Sequence, residues 1–252
     1  MTYSIGIDSG STATKGILLA DGVITRRFLV PTPFRPATAI TEAWETLREG
    51  LETTPFLTLT GYGRQLVDFA DKQVTEISCH GLGARFLEPA TRAVIDIGGQ
   101  DSKVIRLNED GSVKNFVMND KCAAGTGRFL EMMAKTMEMS LDELSQVGLS
   151  YQEDITISSM CTVFAESEVV SLIAQNKHTD DIVHGLNKAV AAKTASLVKR
   201  VGGEEAYMMT GGVAQNKGLV KTLEERLGTS LVISPKSQLC GALGAALFAA
   251  DM

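Results

Sequence analysis

Ile5-Gly6-Ile7-Asp8-Ser9-Gly10-Ser11-Thr12-Ala13-Thr14-Lys15 carries an apolar run into an aspartate and then into a turn of small, hydroxylated residues. The run predicts a buried strand over 3–8, and two more strands follow over 16–20 and 23–30. Asp21-Gly22 separates these, a pair that tolerates the positive φ a tight hairpin demands. In the first turn, Gly10 lets backbone N–H groups approach a phosphate. Ser11, Thr12 and Lys15 add donors and charge, and Asp8 is placed to hold a hydrated magnesium ion. The GxxxxGK[ST] pattern is absent, so this is not the phosphate loop of the common NTPases. Taken alone, the motif is also compatible with a plain hairpin turn.

Val94-Ile95-Asp96-Ile97-Gly98-Gly99-Gln100-Asp101-Ser102-Lys103 repeats the logic. Strands are expected over 92–97, 102–107 and 113–118, the last two joined by Asn108-Glu109-Asp110-Gly111. A third turn, Thr210-Gly211-Gly212-Val213-Ala214-Gln215-Asn216, joins a strand over 206–209 to a helix ending at Leu227, and adjacent glycines there admit a flat ring or a ribose against the backbone. Further strands are expected over 56–60 and 230–233. Helices are expected over 36–53, where Ala39, Ile40, Ala43, Trp44, Leu47 and Leu51 keep the 3–4 spacing, and over 65–70, 81–87, 126–137, 140–147, 165–175, 179–201 and 239–250. Ser140 and Glu143 stand at capping-box spacing.

The chain has 252 residues, with 24 basic against 30 acidic side chains for a net charge of −6, which disfavours nucleic acid or anionic lipid as a partner. Its 44% hydrophobic and 21% charged residues are those of a globular protein, and no run approaches the ~20 apolar residues of a membrane span. A cytoplasmic protein is expected. Cys79, Cys122, Cys161 and Cys240 lie far apart without a CxxC pair, so by count alone they read as buried small side chains.

The three turns together, in this order, resemble the two phosphate motifs and the adenosine motif of the actin, sugar kinase and Hsp70 ATPase superfamily. That likeness implies an α/β fold of two actin-like, ribonuclease H-like lobes with ATP or ADP and Mg2+ in the cleft between them. The lobes would comprise residues 1–92 completed by 236–252, and residues 93–235. It also implies that Asp8 serves the reaction and that Gln100 or Asp101 orients the attacking water or the metal's shell. Gly10, Ser11, Thr12, Lys15, Gly98, Gly99, Gly211, Gly212 and Asn216 would bind nucleotide.

Two cysteine segments distinguish the chain within that superfamily: Asn119-Asp120-Lys121-Cys122-Ala123-Ala124-Gly125-Thr126-Gly127-Arg128-Phe129, and Ser158-Ser159-Met160-Cys161-Thr162-Val163-Phe164-Ala165-Glu166-Ser167-Glu168. Each places a cysteine just ahead of a helix start, where a thiolate is favoured. One chain offers two thiolates, and a two-fold dimer would offer the four of a usual iron–sulfur cluster. Two buried thiols or a redox pair explain the spacing equally well. Gly125, Thr126 and Gly127 could touch the nucleotide, and Glu131 with Lys135 could reach its ribose or form a solvated i,i+4 ion pair.

In their wording, these segments with the opening, central and late motifs resemble the activator components of 2-hydroxyacyl-CoA dehydratases and the related ATPase subunits of benzoyl-CoA reductase. The resemblance covers about nine tenths of the chain. It implies a homodimer binding one 4Fe-4S cluster through Cys122 and Cys161 of each copy. ATP hydrolysis would drive an electron into a dehydratase-type iron–sulfur enzyme, with reduced ferredoxin or flavodoxin as donor. A small-molecule kinase acting on a sugar or N-acetylhexosamine is the alternative, although no insertion for an acceptor pocket is visible, and a nonenzymatic scaffold is a third class. Cys79-His80 and Cys240 are expected to be structural, and His178 and His184 solvated.

Overall fold

The computed structural model describes residues 2–158, 161–202 and 206–250. Two five-stranded sheets carry the chain. The first has the order β3-β2-β1-β4-β5, from β1 (Tyr3–Ser9), β2 (Ala13–Ala20), β3 (Val23–Pro31), β4 (Phe56–Thr60) and β5 (Lys72–Gln73). The second has the order β10-β9-β6-β7-β8, from β6 (Ala93–Ile97), β7 (Ser102–Leu107), β8 (Val113–Asn119), β9 (Tyr207–Thr210) and β10 (Val232–Ile233). In each sheet the two strands that follow the first lie in succession on one side of it, and two later strands extend the other side. The repeat seen in the two Asp-Gly turns is therefore a repeat of topology.

β1 is central because Ile5 and Ile7 are fully buried on one face, while Gly6, on the other, lies under a helix. It runs antiparallel to β2 and parallel to β4. Helix α1 (Pro36–Arg48) buries Ile40, Ala43 and Leu47 against Ile5, Ile7, Leu57 and Leu59, each large side chain contributing about 1.5–3 kcal/mol. It stops five residues short of the expected end, and Gly50 follows at φ 70°. Helix α2 (Glu76–Leu87) starts five residues earlier than expected, at a Thr75 cap that accepts the Ser78 N–H. The helix expected over 65–70 is absent: that stretch runs through turns and bends from Gly61. Six residues are too few to nucleate a helix without help. Beyond it the Asp71 carboxylate accepts the Leu57 N–H at 2.7 Å, drawing the chain into β5 alongside β4.

Helices α3 (Gly127–Thr136), α4 (Leu141–Gln146), α5 (Thr162–Ala174), α6 (Thr179–Val201), α7 (Lys217–Leu227) and α8 (Cys240–Ala250) complete the chain. The Ser140–Glu143 capping box is formed at the start of α4. α5 starts three residues before its expected position. The helix expected directly after Thr210 is a 3-10 turn over Gly212–Gln215, and α7 starts only at Lys217.

The chain divides into two compact units. One comprises Met1–Val94, Leu107–Lys114 and Ser234–Met252, and the other Ile95–Arg106 and Asn115–Ile233. In the first unit α8, apolar on every face, lies directly on β1: a β-carbon on Gly6 would stand 2.1 Å from the Ala246 nitrogen. Gly83 and Gly244 provide the same closeness between α2 and α8, where added β-carbons would meet the Cys240 oxygen at 2.2 Å and the Cys79 oxygen at 1.8 Å. Cys79 and Cys240 are accordingly buried.

Candidate nucleotide and cysteine sites

In the first unit β1 ends at Ser9 and β2 begins at Ala13, so the turn is Gly10-Ser11-Thr12 and Lys15 lies in register with Asp8. The Lys15 Nζ donates to Asp8 Oδ2 at 3.1 Å, and Asp8 is buried. Thr32, just beyond β3, braces the turn: its N–H donates to the Thr12 oxygen at 2.9 Å and its hydroxyl to the Gly10 oxygen at 2.7 Å. Gly61, at φ 83°, brings backbone against the aspartate, since a β-carbon there would stand 2.6 Å from Asp8 Oδ1. The Thr12 and Ser9 hydroxyls are buried without a hydrogen-bond partner among the described residues. Buried polar groups ordinarily have partners, and unmatched hydroxyls at a turn beside an Asp–Lys pair suit a phosphate and its hydrated metal ion.

The second unit repeats this pair. Lys103 Nζ lies 3.0 Å from Asp96 Oδ2 and 2.7 Å from Asp101 Oδ2, all three buried. Burial alone would lower the Lys103 pKa, but the Asp96 and Asp101 carboxylates outweigh it and hold the ammonium well above the ordinary lysine range. The Thr210 hydroxyl donates to Asp96 Oδ1 at 2.7 Å, tying the third turn to the second. Gly211, at φ 85°, lies so close to β6 that a β-carbon would stand 2.2 Å from the Ile97 oxygen. The Gly127 and Arg128 N–H groups, at the start of α3, donate to the Gly98 and Gly99 oxygens at 2.8 Å each. One cluster in this unit thus gathers Gly98, Gly99, Asp101, Gly127 and Gly211. Gly212 opens the following 3-10 turn, and the Asn216 side chain caps α7 by accepting the Leu219 N–H at 2.9 Å.

The remaining residues lie around this cluster in different ways. Gln100 is exposed at the tip of its turn, and Ser11 is half-buried in its own. Gly125 takes φ 85° and Thr126 is buried, its hydroxyl donating to the Ala123 oxygen at 2.7 Å. Glu131 pairs with Arg128 at 3.1 Å and not with Lys135, which is exposed; such a surface pair is worth at most about 1 kcal/mol. Asp96, Lys103 and Thr210 lie within the sequence motifs but were not among the expected site residues. The signal was available, since Asp96 and Lys103 repeat the seven-residue spacing of Asp8 and Lys15.

Cys122 is half-buried and Cys161 exposed, and neither forms a disulfide. The Cys122 carbonyl accepts the Asn119 Nδ2 at 2.9 Å, which fixes the loop before α3. Cys161 is the N-cap residue of α5; Ser159 and Met160 before it lie outside the described residues. Beside it Val163 and Phe164 are 62% and 67% exposed. α3 and α5 are linked where the Thr136 hydroxyl donates to Glu166 Oε1 at 3.0 Å. His178 is exposed as expected, but His184 is not solvated: it is buried and stacked on Tyr151 with ring centroids 3.5 Å apart. Burial, and then the Lys188 ammonium, push its pKa below the ordinary value.

The BadF/BadG/BcrA/BcrD ATPase family model matches residues 5–249. The chain belongs to that family. It is 64% identical to the uncharacterised protein YjiL of Escherichia coli, over 98% of this chain and 96% of that one. It is 48% identical to the (R)-2-hydroxyglutaryl-CoA dehydratase activating ATPase of Acidaminococcus fermentans, over 98% and 96%. The activator of the 2-hydroxyisocaproyl-CoA dehydratase from Clostridium difficile, solved with bound ADPNP, superposes at a TM-score of 0.93 with 44% identity, covering 99% of this family member and 95% of that chain. A ROK family glucokinase from Streptomyces griseus, at 14% identity and a TM-score of 0.64, shares the fold alone, which is the expected actin-like and sugar kinase fold. Among the described residues no helix is long and apolar enough to cross a membrane.

Proposed function

We propose that this family member is the ATP-hydrolysing activator of a 2-hydroxyacyl-CoA dehydratase-type iron–sulfur enzyme. It would work as a homodimer with one 4Fe-4S cluster shared between the copies, and reduced ferredoxin or flavodoxin would be the donor. The observation that carries this reading is the segment 119–128. Its Gly127 and Arg128 N–H groups are bonded to the Gly98–Gly99 turn, while Cys122, five residues upstream, reaches the surface. One short, braced stretch of backbone thus links the proposed nucleotide turn to a candidate iron ligand. The dehydratase activators among the relatives, and the ADPNP bound to one of them, support the reading.

The cysteines fit a cluster by their chemistry. Ligating thiols must be reachable and outside disulfides, as Cys122 and Cys161 are, and the N-terminus of α5 favours the thiolate of Cys161. Among the described residues no three of His, Cys, Asp or Glu come together as a metal cage, so the four-thiolate set needs a second copy. That copy would also cover Val163 and Phe164. Held by Cys122 and Cys161, a 4Fe-4S cluster supplies one electron at low potential. Asp8 and Lys15 hold the metal ion and phosphate, Gly98 and Gly99 offer backbone to the phosphates, and Asp101 or Gln100 orients the attacking water. The Lys103 ammonium fixes the Asp101 carboxylate for that task.

Iron and acid-labile sulfide in protein purified without oxygen, with the mass measured on the same sample, test this. About four of each per dimer are expected. A metal-free monomer that still hydrolyses ATP overturns the reading in favour of a kinase-type activity.

A further inference from the structure

The segment Glu76-Ile77-Ser78-Cys79-His80 takes no part in the function described so far, yet it places a buried imidazole beside the first Asp–Lys pair. His80 lies in α2, is 6% exposed, and belongs to the stretch that Gly83 of α2 and Gly244 of α8 bring close to α8. Its carbonyl accepts the Cys240 thiol at 3.5 Å. At Gly241, in the first turn of α8, an added β-carbon would stand 2.9 Å from Asp8 Oδ2 and 2.9 Å from His80 Nε2. The two atoms therefore converge on one point, and only glycine at 241 leaves that point to them.

We infer that His80 is a positioning residue for Asp8. An imidazole with its proton on Nε2 donates toward Oδ2, directly or through one water, while Lys15 donates to the same oxygen at 3.1 Å. Gly61 backs the other oxygen, a β-carbon there falling 2.6 Å from Oδ1. Held from three sides, the carboxylate keeps one rotamer, so a metal ion's water shell or a phosphate meets an acceptor already oriented. No chemistry passes through His80 itself. The inference rests on the reading of Asp8 as the residue that serves the nucleotide's metal and phosphate.

Two polar substitutions of similar size separate positioning from packing: His80→Gln keeps a donor near the place of Nε2, and His80→Asn keeps one near Nδ1. In the anaerobically purified protein, kcat and KM for MgATP hydrolysis, iron content and thermal midpoint are measured for both, with Asp8→Ala as control. The Gln variant should hold kcat within about 2-fold, whereas the Asn variant should lose about 10-fold or more in kcat, with KM and iron unchanged. Equal activity in the two variants, equal loss in both, or a loss confined to KM overturns the inference. Should the Asn variant not fold, Gly241→Ala takes its place, because its methyl group stands between the two atoms; wild-type kcat there also overturns it. If Asp8→Ala hydrolyses ATP normally, the reading of Asp8 fails and takes this inference with it. If Asp8→Ala is inactive while the His80 variants match wild type, the role of His80 alone is overturned.

Discussion

Lys103 lies 3.0 Å from Asp96, seven residues back along the chain, and both side chains are almost sealed from solvent. Lys15 stands in the same relation to Asp8, at 3.1 Å and the same spacing. Each sheet thus opens with a hairpin whose first strand has an aspartate as its next-to-last residue and whose second strand returns a lysine to it. In the second unit Asp101 adds another carboxylate, so one ammonium balances two anions.

Lys103→Met leaves those carboxylates without a counter-charge, and losing one partner of a buried pair costs about 3–5 kcal/mol. Urea unfolding should show that loss, with a smaller loss in Lys103→Met/Asp101→Asn. An unchanged unfolding midpoint in the single variant would show that the pair contributes nothing.

Gly211→Ala forces a β-carbon 2.2 Å from the Ile97 oxygen at φ 85°. With ψ at 174° the backbone lies in a region essentially reserved for glycine, which costs another residue about 1–3 kcal/mol, and the clash must displace the 210–212 turn from Asp96. ADP affinity by calorimetry is expected to fall by at least 10-fold, and retained affinity would detach this turn from the nucleotide.

Burial, softened by the nearby Thr60 hydroxyl, pushes the Cys79 thiol from 9.0 up to about 12. Above pH 9 the unfolded chain gives up a proton that the folded chain keeps, so this thiol lowers stability as pH rises from about 9 to 12. Cys79→Ala should flatten that alkaline slope in thermal midpoints measured across pH. At pH 8 a thiol reagent should modify Cys161 in the metal-free protein well before Cys79 or Cys240, both buried.

The 3.0 Å bond from Thr136 to Glu166 joins the helix bonded to the Gly98–Gly99 turn to the helix whose N-cap is Cys161. Thr136→Val and Glu166→Gln should each preserve ATP hydrolysis while reducing dehydratase activation per ATP by several-fold. The double variant should be no worse than either single one, as expected for two ends of one interaction. Additive losses would mean that the bond is not the link.

Much of this was legible in sequence, because it rests on local chemistry. Asp21-Gly22, the Ser140–Glu143 box and the strands into Asp8 and Asp96 each obey a rule spanning a few residues, and each formed where expected. The helix expected over 65–70 did not form, since pairing of the following residues with β4 decides the course of that stretch. His184 misled as well: the polar residues one turn away on α6, Asp180, Asp181, Asn187 and Lys188, suggested a solvated face, whereas Tyr151 returns from another segment to stack on the ring. The nucleotide residues could be proposed from their motifs, but the convergence of His80 Nε2 and Asp8 Oδ2 on one point depends on Gly241, 161 residues after His80, which no local window contains.

The glycine-floored seat of α8 on β1 also sets an order of events during synthesis. β1 emerges from the ribosome early, with one side of its sheet waiting for a helix that is translated only after residues 95–233. The interior unit has all its parts first, while the first unit depends on a contact of very long sequence separation, the kind that closes slowly. Until then Ile17 and Leu19, which α8 covers in the finished protein, are open to chaperones and to wrong partners.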